Sequence, residues 1–251
     1  FKAIRHASIK KSTVNQSFSS RPATGAVKNE KCGFASYMNR AQAKGFNNAL
    51  FESELKKLVK RRIESGKTAF TGIVTIPVVF HSLYRTGQAL SATSPNLIAS
   101  QYQAQIDELN SDYANLAGSA YGVSADVRFR FCLAVVDTAG KVMAEPGIDR
   151  INATTRGWSN TNTMDDVTLE DYFETTIKPE SIWDPYSYFN VWTAAMNASG
   201  LLGYATFPAL STLSGLSNSE TSDNAGVVIS WESVGSIDSP GSDPDFGYGR
   251  T

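Results

Sequence analysis

Histidine and cysteine are almost missing from this chain. Its 251 residues hold two of each: His6 and His81, Cys32 and Cys132. A catalytic zinc site needs about three protein ligands on a fixed frame. The two histidines lie far apart, and no His-Glu-x-x-His pattern joins them. By itself the sequence therefore shows no recognisable catalytic zinc site. A serine-hydrolase triad has only the same two histidines to draw on and no Gly-x-Ser-x-Gly elbow, so that class is disfavoured. His81 falls inside a buried apolar run, where a hydrogen-bonded core imidazole is the commoner arrangement. Two cysteines make no disulfide framework; they could pair with each other, pair outside the chain or stay free.

A charge excess and long apolar runs are lacking too. Lys plus Arg number 23 and Asp plus Glu 24, for a net charge of −1. That balance offers no basic footprint for nucleic acid or an anionic membrane. The longest mostly apolar stretch, residues 73–80, is strand-sized, well short of the roughly 20 residues of a spanning helix. Ser65-Gly66-Lys67-Thr68 resembles the end of a phosphate-binding loop. Arg61 stands where the pattern needs its first glycine, and a helix precedes the run instead of a strand, so it reads as a helix stop.

What is present is ordinary globular material, 41% hydrophobic and 19% charged. Residues 1–30 read as a polar, basic tail. Residues 47–64 read as a helix, with Phe51, Leu55, Leu58, Val59 and Ile63 on one face and Gly66 ending it. Residues 73–84 are continuous and β-branched, as for a strand buried on both faces. Pro77 within them marks a strand start, an edge or a bulge. A second helix is expected over residues 96–116, where Ile98, Tyr102, Ile106, Leu109, Tyr113 and Leu116 recur at helical spacing. Further strands are expected over residues 126–136, 188–193, 201–207 and 225–231. Between 137 and 188 the sequence is long and polar, with short elements at most. This order predicts a mixed α/β sheet with a backing helix. Asp243 and Asp245 are a candidate calcium pair, but with two carboxylates and no glycine-centred loop a solvated turn is favoured.

Several segments, in order, resemble the pappalysin family of metzincin peptidases. They are residues 76–81 (IPVVFH), 105–113 (QIDELNSDY), 131–134 (FCLA), 147–150 (GIDR), 183–185 (WDP), 189–192 (FNVW), 201–208 (LLGYATFP), 225–229 (AGVVI) and 249–251 (GRT). The resemblance covers about residues 72–251. It implies an α/β fold, the upper subdomain of a metzincin: a twisted five-stranded mixed sheet with backing helices over residues 68–251, behind a propeptide over residues 1–67. It also implies a secreted zinc metalloendopeptidase precursor acting on protein or peptide substrates, arginine-directed. The zinc motif of the family would follow Thr251, on a C-terminal catalytic portion that is an expected partner.

In that reading the lowest strand, Leu201, Leu202, Gly203, Tyr204, Ala205 and Thr206, binds extended substrate through its main chain, and Gly203 allows close approach. Lys31-Cys32-Gly33 resembles the family's cysteine-switch segment, so Cys32 is expected as the zinc ligand of the latent form. A Cys32–Cys132 disulfide is the rival. No catalytic residue is assigned within the chain, which alone is expected to be inactive. A non-catalytic peptide-binding module and a processing fragment are the alternatives.

Overall fold

A computed structural model describes residues 42–43, 45–66, 71–118, 122–205, 214–215 and 221–250. Six strands form one sheet: β1 (Val74–Tyr84), β2 (Phe129–Leu133), β3 (Ile148–Asn152), β4 (Phe189–Ala194), β5 (Gly203–Ala205) and β6 (Val227–Ser230). Across the sheet the order is β2-β1-β4-β6-β5, and β3 also pairs with β1. The long β1 explains both partners. Its first half pairs with β2 (Val74↔Phe129 to Val78↔Leu133) and its second with β3 (Phe80↔Ile148 to Tyr84↔Asn152). The sheet is thus five strands wide, as expected, but built from six, because two short strands share one side of β1. All pairings are parallel except β5 with β6.

Pro77 sits in a central strand without harming it. Val74 N–H donates to Arg128 O and Phe80 N–H to Gly147 O, so even-numbered residues of β1 face β2 and β3. Pro77 therefore turns its nitrogen the other way, toward β4. That strand begins pairing only at Val78↔Phe189. The missing donor falls one residue before it would be needed.

Both faces of the sheet are covered, which is why six consecutive residues of β1, Val79–Tyr84 less its last member and with Val78 before it, are buried. On one face, the α-helix Ala99–Tyr113 packs Tyr102 and Ile106 against Val78, Phe80, Phe131 and Val191. On the other lies a helical stretch that the polar composition concealed. It comprises the α-helix Asp166–Tyr172, a π-turn Phe173–Ile177 and a last turn Lys178–Ser181. Leu169, Phe173 and Ile177, at intervals of four, are fully buried against Leu83, Trp192 and Val228. Asp165 caps its start by accepting from Thr168 N–H at 2.8 Å.

The α-helix Asn48–Glu64 also forms where expected. Asn47 caps it, accepting from Leu50 N–H at 3.0 Å, and Gly66 ends it at φ +59°. Phe51 meets the Phe46 ring near its start, but the later part of its apolar face is not covered by described residues: Leu58, Val59 and Ile63 are exposed. The helix-stop reading of Gly66 holds, since the order is helix, then strand.

Candidate peptide-binding edge

β5 ends the sheet. Its outer side has no strand partner among the described residues. Its register fixes which groups point there. Ser230 N–H donates to Leu202 O at 2.7 Å, and Tyr204 lies opposite Val228. In an antiparallel pair, hydrogen-bonded positions alternate. Leu202 and Tyr204 therefore turn their main-chain groups toward β6, and Gly203 and Ala205 turn theirs outward.

Leu201 and Tyr204 are buried in the core beside Trp192 and Met196, whereas Ala205 is exposed. Gly203 has an internal reason to be glycine. A Cβ there would stand 2.7 Å from Val228 O and 3.2 Å from Ile229 Cγ2, inside its own neighbouring strand. So the bulk that glycine avoids at this position is that of β6. Of the six residues expected at this edge, Thr206 lies outside the described residues, as does Cys32.

Behind β5 stands a buried polar cluster. Tyr204 O–H donates to Glu174 Oε1 at 2.9 Å, and Lys178 Nζ lies 2.5 Å from the same oxygen. Lys178 is fully buried, with Nζ 5.1 Å from the centre of the Tyr204 ring and 5.4 Å from that of Trp192. The π-turn aligns the acid and the base: Lys178 N–H donates five residues back, to Phe173 O.

His81 is a core residue, as the sequence suggests. It is fully buried and stacks on Trp192 at 4.9 Å. Nδ1 lies 2.9 Å from Asp149 Oδ2, and Nε2 lies 2.9 Å from Asn190 Oδ1. Asn190 Oδ1 also accepts from Trp183 N–H, which fixes its amide orientation and makes Nε2 a donor. The imidazole ties β1 to β3 and β4.

The motif segments near the chain's last described residues meet each other. Asn110 Nδ2 donates to Phe131 O at 2.9 Å, and its Oδ1 accepts from Phe131 N–H at 2.7 Å. Two residues on, Asp112 receives Arg250 at 3.0 Å, and Glu108 joins the same guanidinium at 2.5 Å. Gln105 on the same helix donates to Gly249 O at 2.7 Å. Hydrogen bonding to Asp112 pushes the Arg250 pKa up.

No three His, Cys, Asp or Glu side chains among the described residues stand together as metal ligands. These residues do not fit a catalytic zinc, and no chemical step through zinc is assigned to them. The calcium candidate is not supported either. Asp243 Oδ1 accepts from Asp245 N–H and Phe246 N–H at 2.8 Å each, capping its own turn. Cys132 is a free, half-buried thiol, and burial pushes its pKa up. No described helix is long and apolar enough to cross a membrane.

No family model and no curated protein sequence matches the chain. Solved structures do. Mirolysin in complex with compound 9 superposes with a TM-score of 0.52 at 25% identity, covering 72% of this chain and 60% of that one. The chain has a metzincin fold. Mature mirolysin of Tannerella forsythia with a cleaved peptide gives a TM-score of 0.51 at 25% identity over the same shares. The E225A mutant of promirolysin from the same organism gives 0.57 at 22% identity, covering 88% of this chain and 65% of that one. The chain thus spans 60% to 65% of the length of these neighbours. It is similar to the pappalysin type of metzincin, and is metalloprotease-related.

Two elements escaped the sequence reading. β3 carries Asp149 and Arg150 in its middle, so its alternation looked polar. The helical stretch behind β5 had a usable signal in Leu169, Phe173 and Ile177.

Proposed function

We propose that this chain is the substrate-capturing upper part of a secreted zinc metalloendopeptidase precursor, and that β5 receives extended peptide by strand addition. The observation that carries this reading is the outer side of β5, unpaired by any strand among the described residues, where Gly203 and Ala205 present main-chain donors and acceptors. Strand addition draws affinity from such groups and selectivity from neighbouring pockets. A mature mirolysin structure with a cleaved peptide supports peptides as the ligand class. The arginine preference belongs to this proposal, as does the assignment of residues 1–67 to a propeptide with Cys32 as latent-form zinc ligand. Zinc itself is assigned to residues on a further, C-terminal portion.

Titration with a blocked, arginine-containing octapeptide tests the capture. The peptide is expected to bind, and its N-methylated form, unable to donate along one edge, is expected to bind about tenfold more weakly. Equal binding of the two would overturn strand addition. For the precursor, Cys32→Ala in a chain that includes the zinc motif is expected to speed self-activation; an unchanged rate would remove the switch.

A further inference from the structure

We infer that Glu174, Lys178 and Tyr204 form a positioning cluster that sets the height and tilt of β5, and that it exists for peptide capture more than for stability. The inference rests on the proposed role of β5 as the capture strand.

Little among the described residues holds β5: it spans Gly203–Ala205 and pairs there with β6 alone. Its single buried side chain within the strand is Tyr204. Whatever fixes Tyr204 therefore fixes the strand. The ring is held by packing against the core around Trp192, but apolar packing is non-directional and lets a flat ring slide. The hydroxyl cannot slide: it donates to Glu174 Oε1, which also meets Lys178 Nζ. The ammonium in turn lies against the faces of both Tyr204 and Trp192, one on the edge strand and the other on β4. Three groups thus triangulate one phenol relative to the middle of the sheet.

Stability alone is a poor reason to keep such a cluster. Taking a lysine and a carboxylate out of water is costly, and apolar residues of similar volume often serve stability as well or better. The backbone is also adapted to it. A π-turn, frequent at functional sites, interrupts the helix between Phe173 and Ile177, on the segment that carries Glu174 and leads into Lys178. That turn lies directly behind the one antiparallel edge of the sheet.

The test is a pair of variants in the full chain. Glu174→Gln with Lys178→Met removes both charges together, so neither is left buried alone. Tyr204→Phe removes only the hydroxyl. Each variant is read three ways: thermal midpoint, amide exchange without ligand, and affinity for the blocked octapeptide. Tyr204 N–H and Ser230 N–H face the β5–β6 seam and report docking of the strand. For the double variant we expect a midpoint within a few degrees of the parent, exchange at those two amides at least about tenfold faster, and affinity about tenfold weaker. Amides of β1 and β4 should keep their protection. Tyr204→Phe should show the same pattern, more weakly.

Parent-like exchange at Tyr204 and Ser230 in both variants would overturn the inference, whatever the peptide does. A large fall in midpoint with uniform loss of protection would also overturn it, since the cluster would then be structural. If the parent chain fails to bind the octapeptide, the capture reading fails. The exchange measurement still decides whether the cluster positions the strand.

Discussion

The two edges of the sheet are managed in opposite ways. At the β2 edge, odd-numbered residues face outward, since Ala134 N–H, an even position, donates inward to Val78 O. Phe131 is the central outward position, and the Asn110 side-chain amide covers it with one donor and one acceptor, as a neighbouring strand would. At the β5 edge no described strand or side-chain amide plays that part for Gly203 and Ala205. Edge strands are a hazard that proteins usually blunt. One edge is blunted at its centre, and the other is short and stiffened from behind. Among the described residues, then, only the β2 edge has its outward main-chain groups paired at its centre, and the β5 edge is the one the proposed capture would use.

Breaking the rear support of the open edge should have the largest effect. Lys178→Ala would leave the buried Glu174 carboxylate uncompensated, at an expected cost of about 4 kcal/mol in urea unfolding. The paired variant that removes both charges should recover most of that loss. Uncovering the closed edge comes next. Asn110→Ala should cost about 2 kcal/mol, because Phe131 N–H and C=O lose their partners in a largely buried setting. It should also raise self-association, measured by sedimentation.

Gly203→Ala sharpens the comparison from the other side. Its Cβ would meet the Val228 carbonyl, so β5 must lift from β6, at an expected cost of about 1 kcal/mol. Faster exchange at Tyr204 N–H would accompany it. The smallest effect concerns acid. Hydrogen bonding to Arg150 lowers the Glu145 pKa below its ordinary 4.5. A carboxylate with a depressed folded-state pKa contributes stability that is fully present above 4.5 and is lost as pH falls through the folded value. Glu145→Gln should therefore lower stability slightly at pH 7, where the contribution is fully present, and converge with the parent as pH falls well below 4.5, which flattens the acid limb.

The parts of this fold that the sequence made legible are those whose reasons are local. Residues 73–84 read as a doubly buried strand because nearly every side chain is apolar, and residues 96–116 contain a helix because Tyr102, Ile106 and Leu109 keep its period. The observed helix is shorter, Ala99–Tyr113. The family resemblance expects an edge strand over Leu201 to Thr206; β5, Gly203–Ala205, stands last in the strand order of the described residues. What stayed hidden depends on distant partners. Asp149 and Arg150 are tolerable in β3 because His81, Glu145 and Asn96 receive them. Lys178 gave no sign of burial, since the groups that accept it, Glu174, Trp192 and Tyr204, come together only in the folded chain. Gly203 shows a subtler limit: the resemblance gives it the role of letting substrate approach, whereas the close neighbour that the structure shows is β6, which no local pattern reveals.

The central claim is that peptide adds to β5 as a strand. Amide hydrogen exchange at Gly203 and Ala205, with and without the blocked octapeptide, tests it most directly. These two outward-facing amides are expected to become protected together when peptide binds, while Phe131, already covered by Asn110, does not change. Peptide binding that leaves Gly203 and Ala205 exchanging at their unliganded rate would contradict it.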